Sequence, residues 1–462
     1  MSSTLADPRT EELLLGDGSR LSDCFDDVGR RLAAKVFADP VLHRVEMARV
    51  FARTWNFVGF EEEIRNPGDF VVRYIGSDSV IVSRDASGKP SVMLNSCTHR
   101  GTQLAEADRG HCERFKCPYH GWVFDCGGRL QGMSAERERL GPDGRRDAFD
   151  LRQARLASYA GLLFATWDAE APDFETYLGD ARFYFDIVVN AADRPLVPLG
   201  PPQRWTIDAD WKLGAENFAG DAYHAPFTHS SVSDVGVLPA LMLNAVLGAT
   251  SVADPRFGHA LLLFNLPRMM GVEEMPPTAL GPMLFPWLPP DVLPEVQHRL
   301  NRDQLAILDR GEQPGVGNLF PNFAWVMQPT PLGPLCSFRT WNPAGPGRFE
   351  LWSWAVVHPD ADENLRAATA RAHCRQFGFS GVIEQDDTTI WSRIQRARQG
   401  AMGGEQFVDY SARRPPSKEN YFPDGGTFPG PGTVWLGKGA SAAADDSIWQ
   451  FYVRWRELMV HS

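Results

Sequence analysis

Cysteine is scarce in this chain. There are seven in 462 residues, an odd number, at positions 24, 97, 112, 117, 126, 336 and 374. That count, in a chain this long, excludes the disulfide framework that staples small secreted domains. Long apolar runs are lacking too. The two longest charge-free stretches are Val235–Ala253, which carries Pro239, Asn244, Thr250 and Ser251, and Gly315–Phe338, which carries four prolines. Both read as buried segments and not as membrane spans. No stripe of Lys and Arg exists: 46 basic residues are scattered among 58 acidic ones, for a net charge of -12. A nucleic-acid or anionic-membrane surface is therefore disfavoured. The opening Met-Ser-Ser-Thr-Leu-Ala-Asp has no basic segment followed by an apolar one, so no secretory signal is visible and a cytoplasmic location is expected.

What is present is ample core material: 43% hydrophobic residues, with 14 Trp, 9 Tyr and 28 Phe. The length suits two domains at roughly 100–200 residues each. Asp39-Pro40 followed by Val41, Val45, Ala48 and Phe51 reads as a capped helix. The pattern then changes to period two at Phe70–Ile75, Val80–Val82 and Val92–Leu94, with turns at Asp85–Lys89 and around Cys126-Gly127-Gly128. A small all-β unit of residues 50–170 is expected, inserted near the start of a larger α+β body. In that body Asp362–Gln376 and Val382–Arg398 are helix candidates, residues 423–432 form a Gly/Pro loop, and Ile448–Met459 is amphipathic.

Four of the seven cysteines fall between positions 97 and 126. Cys97-Thr98-His99-Arg100-Gly101 is followed by Cys117-Pro118-Tyr119-His120-Gly121. Each short loop offers one Cys and one His. Thiolates and imidazoles at this spacing are metal ligands. Zinc is the plain alternative, but zinc sites usually pair Cys with Cys and His with His. The mixed pairs fit a Rieske [2Fe–2S] cluster, in which two Cys hold one iron and two His the other. Gly101 and Gly121 permit the tight backbone that turns amide N–H groups toward sulfur. Cys112 and Cys126 read as small buried residues.

Further on, Asn217-Phe218-Ala219-Gly220-Asp221-Ala222-Tyr223-His224 is followed by His229. If Trp211 to Tyr223 is helical, Asn217, Asp221 and His224 share one face. Two imidazoles and one carboxylate make the facial triad of non-haem Fe(II) oxygenases, which leaves iron positions open for O2. A carboxylate is offered by Glu384-Gln385-Asp386-Asp387 at the start of a helix. Carboxylates there also serve as helix-dipole partners, and both Asp386 and Asp387 remain candidates.

The run Asn217–His229 and the Glu-x-Asp-Asp at Glu384–Asp387 resemble the large (alpha) subunits of Rieske non-haem iron ring-hydroxylating dioxygenases, most closely the naphthalene and polycyclic aromatic hydrocarbon group. The order, spacing and total length extend the resemblance over nearly the whole chain. Respiratory Rieske proteins carry a disulfide between the two loops; Thr102 and Tyr119 stand at those positions here, so an electron-transfer-chain protein is disfavoured.

The resemblance implies a small all-β Rieske domain, residues 50–170, inserted into a catalytic domain built from residues 1–49 and 171–462, whose antiparallel sheet is flanked by helices. It implies that His224, His229 and Asp387 hold mononuclear Fe(II), with Asp386 second in line. Asn217 would lie near that iron. Asp221 would bridge a cluster-ligand His of a neighbouring chain to His224, and Phe218, Ala225, Phe377 and Ile383, with Asn217, would line the substrate pocket. It also implies a small beta subunit in an α3β3 hexamer, though some relatives are alpha trimers, and electrons from NADH through a reductase and a ferredoxin. The ferredoxin would dock near exposed His99 and His120. The expected reaction is cis-dihydroxylation of an aromatic ring. The four pocket positions are apolar, and between His229 and His298 the basic residues other than His are Arg256 and Arg268. A neutral hydrocarbon is favoured, because a buried aromatic carboxylate would need a cationic partner; Arg256 folding into the pocket would change that. The alternatives are an aromatic-acid oxygenase of salicylate, phthalate or benzoate type, a monooxygenase or demethylase, and a pure Rieske electron carrier.

Overall fold

The computed structural model describes residues 12–140, 144–272, 275–437 and 444–460. The chain divides into two compact units, one of residues Phe51–Phe174 and one of the residues up to Val50 together with those from Glu175 onward. The fold is α+β, with an all-β smaller unit and a larger unit of antiparallel sheet and helices.

The smaller unit is built on a four-stranded antiparallel sheet in the order Pro90–Leu94, Asp78–Arg84, Asp69–Ile75, Arg109–His111. Side chains alternate between its faces. Val71, Val82 and Val92 are cross-strand neighbours on one face and pack with Val58, Leu163 and Ala165 of a second sheet. Val72, Ile81 and Met93 line the other face and pack with Cys97, Cys117, Trp122 and Phe124. Both faces are thus buried, which is why these strands carry near-continuous apolar runs in place of the period-two alternation expected from the sequence. The second cluster loop joins strands Arg114–Lys116 and Val123–Asp125.

The larger unit has a nine-stranded antiparallel sheet. The charge-free stretch Gly315–Phe338 lies at its centre, within strands Glu312–Leu319, Phe323–Thr330 and Gly333–Gly345. Val235–Ala253 is divided between helix Ala240–Ala245 and strand Thr250–Asp254. Among the described residues no helix is long and apolar enough to cross a membrane. Helix Trp211–Gly220 packs on the sheet and under the last helix, Asp446–Val460. Its start is fixed by a buried ionic cluster: Lys212 Nζ lies 2.6 Å from Glu46 Oε1 and 2.8 Å from Asp210 Oδ1. Glu46 also accepts hydrogen bonds from the indoles of Trp211 and Trp455. Helix Pro40–Glu46, capped by the Asp39 carboxylate, is thereby tied to the element that carries Asn217.

Candidate active site and metal centres

The two loops of the smaller unit share one backbone design. Cys97 N–H donates to Thr102 O (2.8 Å) and Gly101 N–H to Cys97 O (2.8 Å); Cys117 N–H donates to Trp122 O (2.7 Å) and Gly121 N–H to Cys117 O (3.1 Å). Gly101 and Gly121 sit at φ +78° and +73°, the left-handed region that glycine enters freely. The turn aims the N–H groups of His99 and Arg100 at the Cys97 sulfur, and those of Tyr119 and His120 at the Cys117 sulfur. Both sulfurs are buried. The His99 and His120 rings lie side by side, centroids 4.5 Å apart, with His99 stacked on Trp122 at 4.8 Å. Their Nδ1 atoms are buried and lack a hydrogen-bond partner. Leaving such an atom unpaired costs about 1–3 kcal/mol, so the pair is built to coordinate. These four donors do not gather within 4.8 Å of one another, as ligands of a single zinc would. They fit a two-iron cluster, with thiolates on one side and imidazoles on the other. Both His residues, expected from the resemblance to be exposed, are half-buried.

The larger unit brings His224, His229 and Asp387 together, the one such donor group found among the described residues. His224 Nε2 and His229 Nε2 each lie 3.5 Å from Asp387 Oδ1. That is the separation of neighbouring ligands around one metal ion. Asp387 occupies the second turn of helix Val382–Arg398 and is 3% exposed. Asp386 points elsewhere: its Oδ2 accepts from Ser231 Oγ at 3.0 Å and stands 3.5 Å from His229 Nδ1.

The expected helix Trp211 to Tyr223 ends earlier, at Gly220. Asp221 leaves it at φ −77°, ψ 74°, and Ala222 N–H closes a tight turn on Gly220 O at 2.8 Å. The shared helical face inferred for Asn217, Asp221 and His224 is therefore replaced by a turn that still gathers them. Asn217 Nδ2 is 3.4 Å from His224 Nε2. His224 Nδ1 is bonded to the Asp221 main-chain carbonyl and lies 3.5 Å from Asp221 Oδ1. A bond of that kind holds the ring with Nε2 free to coordinate.

The electrostatics of the three donors favour a cation. Burial pushes the Asp387 carboxyl up to about 7. Burial, with the charge of His224, pulls the His229 imidazole down to about 3. At His224 burial opposes the charge, but the Asp221 and Asp387 carboxylates outweigh it and hold the ring up to about 9. A buried carboxylate between two imidazoles is a donor set that a divalent cation would stabilise.

These residues line a cavity of about 90 Å³. Asn217, Phe218, Ala225, Phe377 and Ile383 all line it. So do Met242 and Leu243, from the charge-free stretch Val235–Ala253, and Leu262 and Phe264 of strand His259–Asn265. Val316, Val326, Gln328 and Thr330 were not anticipated. Their signal was the period-two pattern of the strands, unreadable without knowing which face looks inward. Arg256 does not enter the cavity; it is exposed and paired with Asp254 at 2.9 Å. Arg268 donates to the Gly248 carbonyl at 2.6 Å. No Lys or Arg lines the cavity among the described residues.

Comparison with known proteins agrees with this arrangement. The Rieske [2Fe-2S] domain family matches residues 54–159, and the ring hydroxylating alpha subunit catalytic domain family matches residues 174–459. The chain is 31% identical to the chlorobenzene dioxygenase subunit alpha of Cupriavidus sp. (strain PS12), over 95% of this chain and 93% of that one. It is 33% identical to the N,N-dimethyl phenylurea N-demethylase subunit alpha of Sphingobium sp. (strain YBL2), over 86% and 87%. Among solved structures, naphthalene 1,2-dioxygenase from Rhodococcus sp. bound to indole superposes with a TM-score of 0.82 at 34% identity, covering 95% of this chain and 97% of that one.

Proposed function

The chain belongs to the family of ring-hydroxylating dioxygenase alpha subunits, oxidoreductases with a Rieske [2Fe-2S] domain and an iron-binding catalytic domain, and from that premise we propose that it cis-dihydroxylates a neutral mono- or polycyclic aromatic ring with O2 and electrons from NADH. The observation that carries the reading is the convergence of His224, His229 and Asp387 at a cavity lined mainly by apolar side chains. Cys97, His99, Cys117 and His120 would hold the cluster in a Rieske domain of residues 50–170; residues 1–49 and 171–462 would form the catalytic domain. Iron held by the triad supplies reductive O2 activation. The protein positions the ring and excludes water. Phe218, Ala225, Phe377 and Ile383 press on the ring faces and leave an edge turned toward the triad. Asn217 lies beside the coordinating edge of His224, 3.4 Å from its Nε2. Asp221 keeps that ring in one tautomer through its carbonyl, while its partly exposed carboxylate is placed to meet a cluster histidine of a neighbouring chain.

The partners that follow from this reading are a small beta subunit in an α3β3 hexamer, a ferredoxin that docks at His99 and His120, and an NADH-dependent reductase, all cytoplasmic. An aromatic-acid substrate is disfavoured, because no cation lines the cavity among the described residues. A second reading, oxidative demethylation, is supported by the likeness to the phenylurea N-demethylase subunit. Product analysis under isotopically labelled O2 separates the two. Two labelled oxygens in a cis-diol support dihydroxylation; release of formaldehyde, or a single label in a phenol, overturns it.

A further inference from the structure

The cavity wall holds one polar group that the metal site does not use. Strand Phe323–Thr330 lies along the cavity, and every second residue, Val326, Gln328 and Thr330, lines it. The intervening Met327 is buried on the opposite face against Cys336. The alternation turns the Gln328 side chain inward. Asn217, Asp221, His224, His229 and Asp387 belong to the metal end. The Thr330 hydroxyl is spent: it donates to Gly333 O at 2.8 Å and accepts from Gln376 Nε2 at 3.0 Å. Gln328 is half-buried, and its amide makes no hydrogen bond to a described residue.

We propose that Gln328 is a specificity residue, binding a hydrogen-bonding substituent of the substrate, so that the cavity selects uncharged arenes bearing a hydroxyl, carbonyl or ring N–H over the bare hydrocarbon. A primary amide offers two donors and an acceptor in one plane. It accommodates a hydroxyl, a carbonyl or an N–H without a charge, which suits a cavity with no cationic lining. A plain hydrocarbon seated against it would displace the water on the amide and return nothing. A site with an unmatched polar group rejects the analogue that lacks the partner more strongly than an apolar pocket rejects a change of size. This inference rests on the cavity being an aromatic-ring site, as argued above.

The test uses 2-naphthol and 2-methylnaphthalene, which share a shape and differ by hydroxyl against methyl. Their affinities for the iron-loaded, full-length protein are measured anaerobically by calorimetry, in wild type and in Gln328→Leu. The replacement is expected to lower the ratio of the two affinities, naphthol over methylnaphthalene, by about tenfold. Gln328→Asn, which keeps the amide, should retain part of the wild-type ratio. If Gln328→Leu fails to fold, as judged by cluster absorbance and melting temperature, unbranched Gln328→Met takes its place. A ratio that stays within about twofold of wild type overturns the proposal. Oxidation of 2-methylnaphthalene by wild type checks the underlying reading separately. If it is oxidised and the ratio does not move, the specificity role alone falls; if neither probe binds, both fall.

Discussion

Arg339 and Glu384 form an ion pair at 2.8 Å with both side chains wholly buried. Arg339 lies on strand Gly333–Gly345, and Glu384 opens helix Val382–Arg398 one turn before Asp387. The same guanidinium donates to the Phe377 carbonyl at 3.0 Å and sits 5.3 Å and 5.0 Å from the Phe218 and Phe377 ring centres. One buried cation thus fixes the helix that presents Asp387 and two aromatic walls of the cavity.

Breaking a buried pair from one side leaves an uncompensated charge and costs about 3–5 kcal/mol. Arg339→Met and Glu384→Leu should each lower the unfolding free energy by that amount, read as a lower urea midpoint, and release mononuclear iron. The double variant replaces both charges with apolar groups and should recover most of the stability. Iron counting and denaturation together read the two effects. Single variants as stable as wild type would show that the pair is not the anchor described.

Asp387 and Asp386 are adjacent in sequence but differ in position. Asp387 Oδ1 stands 3.5 Å from both Nε2 atoms, whereas Asp386 faces Ser231 and the Nδ1 edge of His229. Asp387→Ala should cut iron from about three to about two per chain and leave the cluster colour and acid-labile sulfide intact. Asp386→Ala should weaken iron retention by about tenfold, the usual cost of losing a group that orients a ligand. Iron and sulfide analysis of anaerobically purified protein decides, and the reverse order of the two losses would move the ligand to Asp386.

The candidate metal donors were legible in the sequence because cluster and triad each need particular residue types at short spacing. Cys97, His99, Cys117 and His120 lie in two tight loops whose glycines announce the turns. His224 and His229 are local for the same reason. Asp387 was not: a carboxylate in an early helical turn has an ordinary explanation, and family resemblance was what separated it from Asp386. The helix before His224 was read too long because the apolar pattern continues through Ala222, while the backbone leaves the helix at Asp221 to close a turn. Gln328 escaped notice because its meaning depends on which face of a central strand looks into the cavity. That is set by the register of three successive strands, Glu312–Leu319, Phe323–Thr330 and Gly333–Gly345, which the sequence alone does not fix.

Glu312, at the start of strand Glu312–Leu319, is buried and its Oε2 has no hydrogen-bond partner. Burial pushes its carboxyl from 4.5 up to about 7, against the pull of Arg310 and Arg268. The folded state therefore holds this proton more tightly than the unfolded state. The associated stability is complete below the unfolded value and is lost as pH rises through the folded one. Glu312→Gln, which needs no proton, should exceed wild type in stability at about pH 8 by about 1–3 kcal/mol, with the gain shrinking toward about pH 5. Urea midpoints across that window check the sign. A gain that grows toward low pH would mean the carboxylate is stabilised in the fold.

Asp221 tests the electron path. Its main-chain carbonyl, not its carboxylate, makes the short bond to His224 Nδ1, so truncating the side chain leaves that bond in place. The side chain is 26% exposed, and its Oδ1 accepts from the His224 backbone N–H at 3.3 Å. Asp221→Ala should keep the cluster and the mononuclear iron while NADH-coupled turnover falls by on the order of 100-fold. Hydrogen peroxide brings oxygen that is already reduced by two electrons, so it bypasses the path. Product formed with peroxide should therefore survive in the variant. Loss of both NADH- and peroxide-driven product would place the damage at the triad instead. Normal NADH-coupled turnover would remove Asp221 from the path altogether.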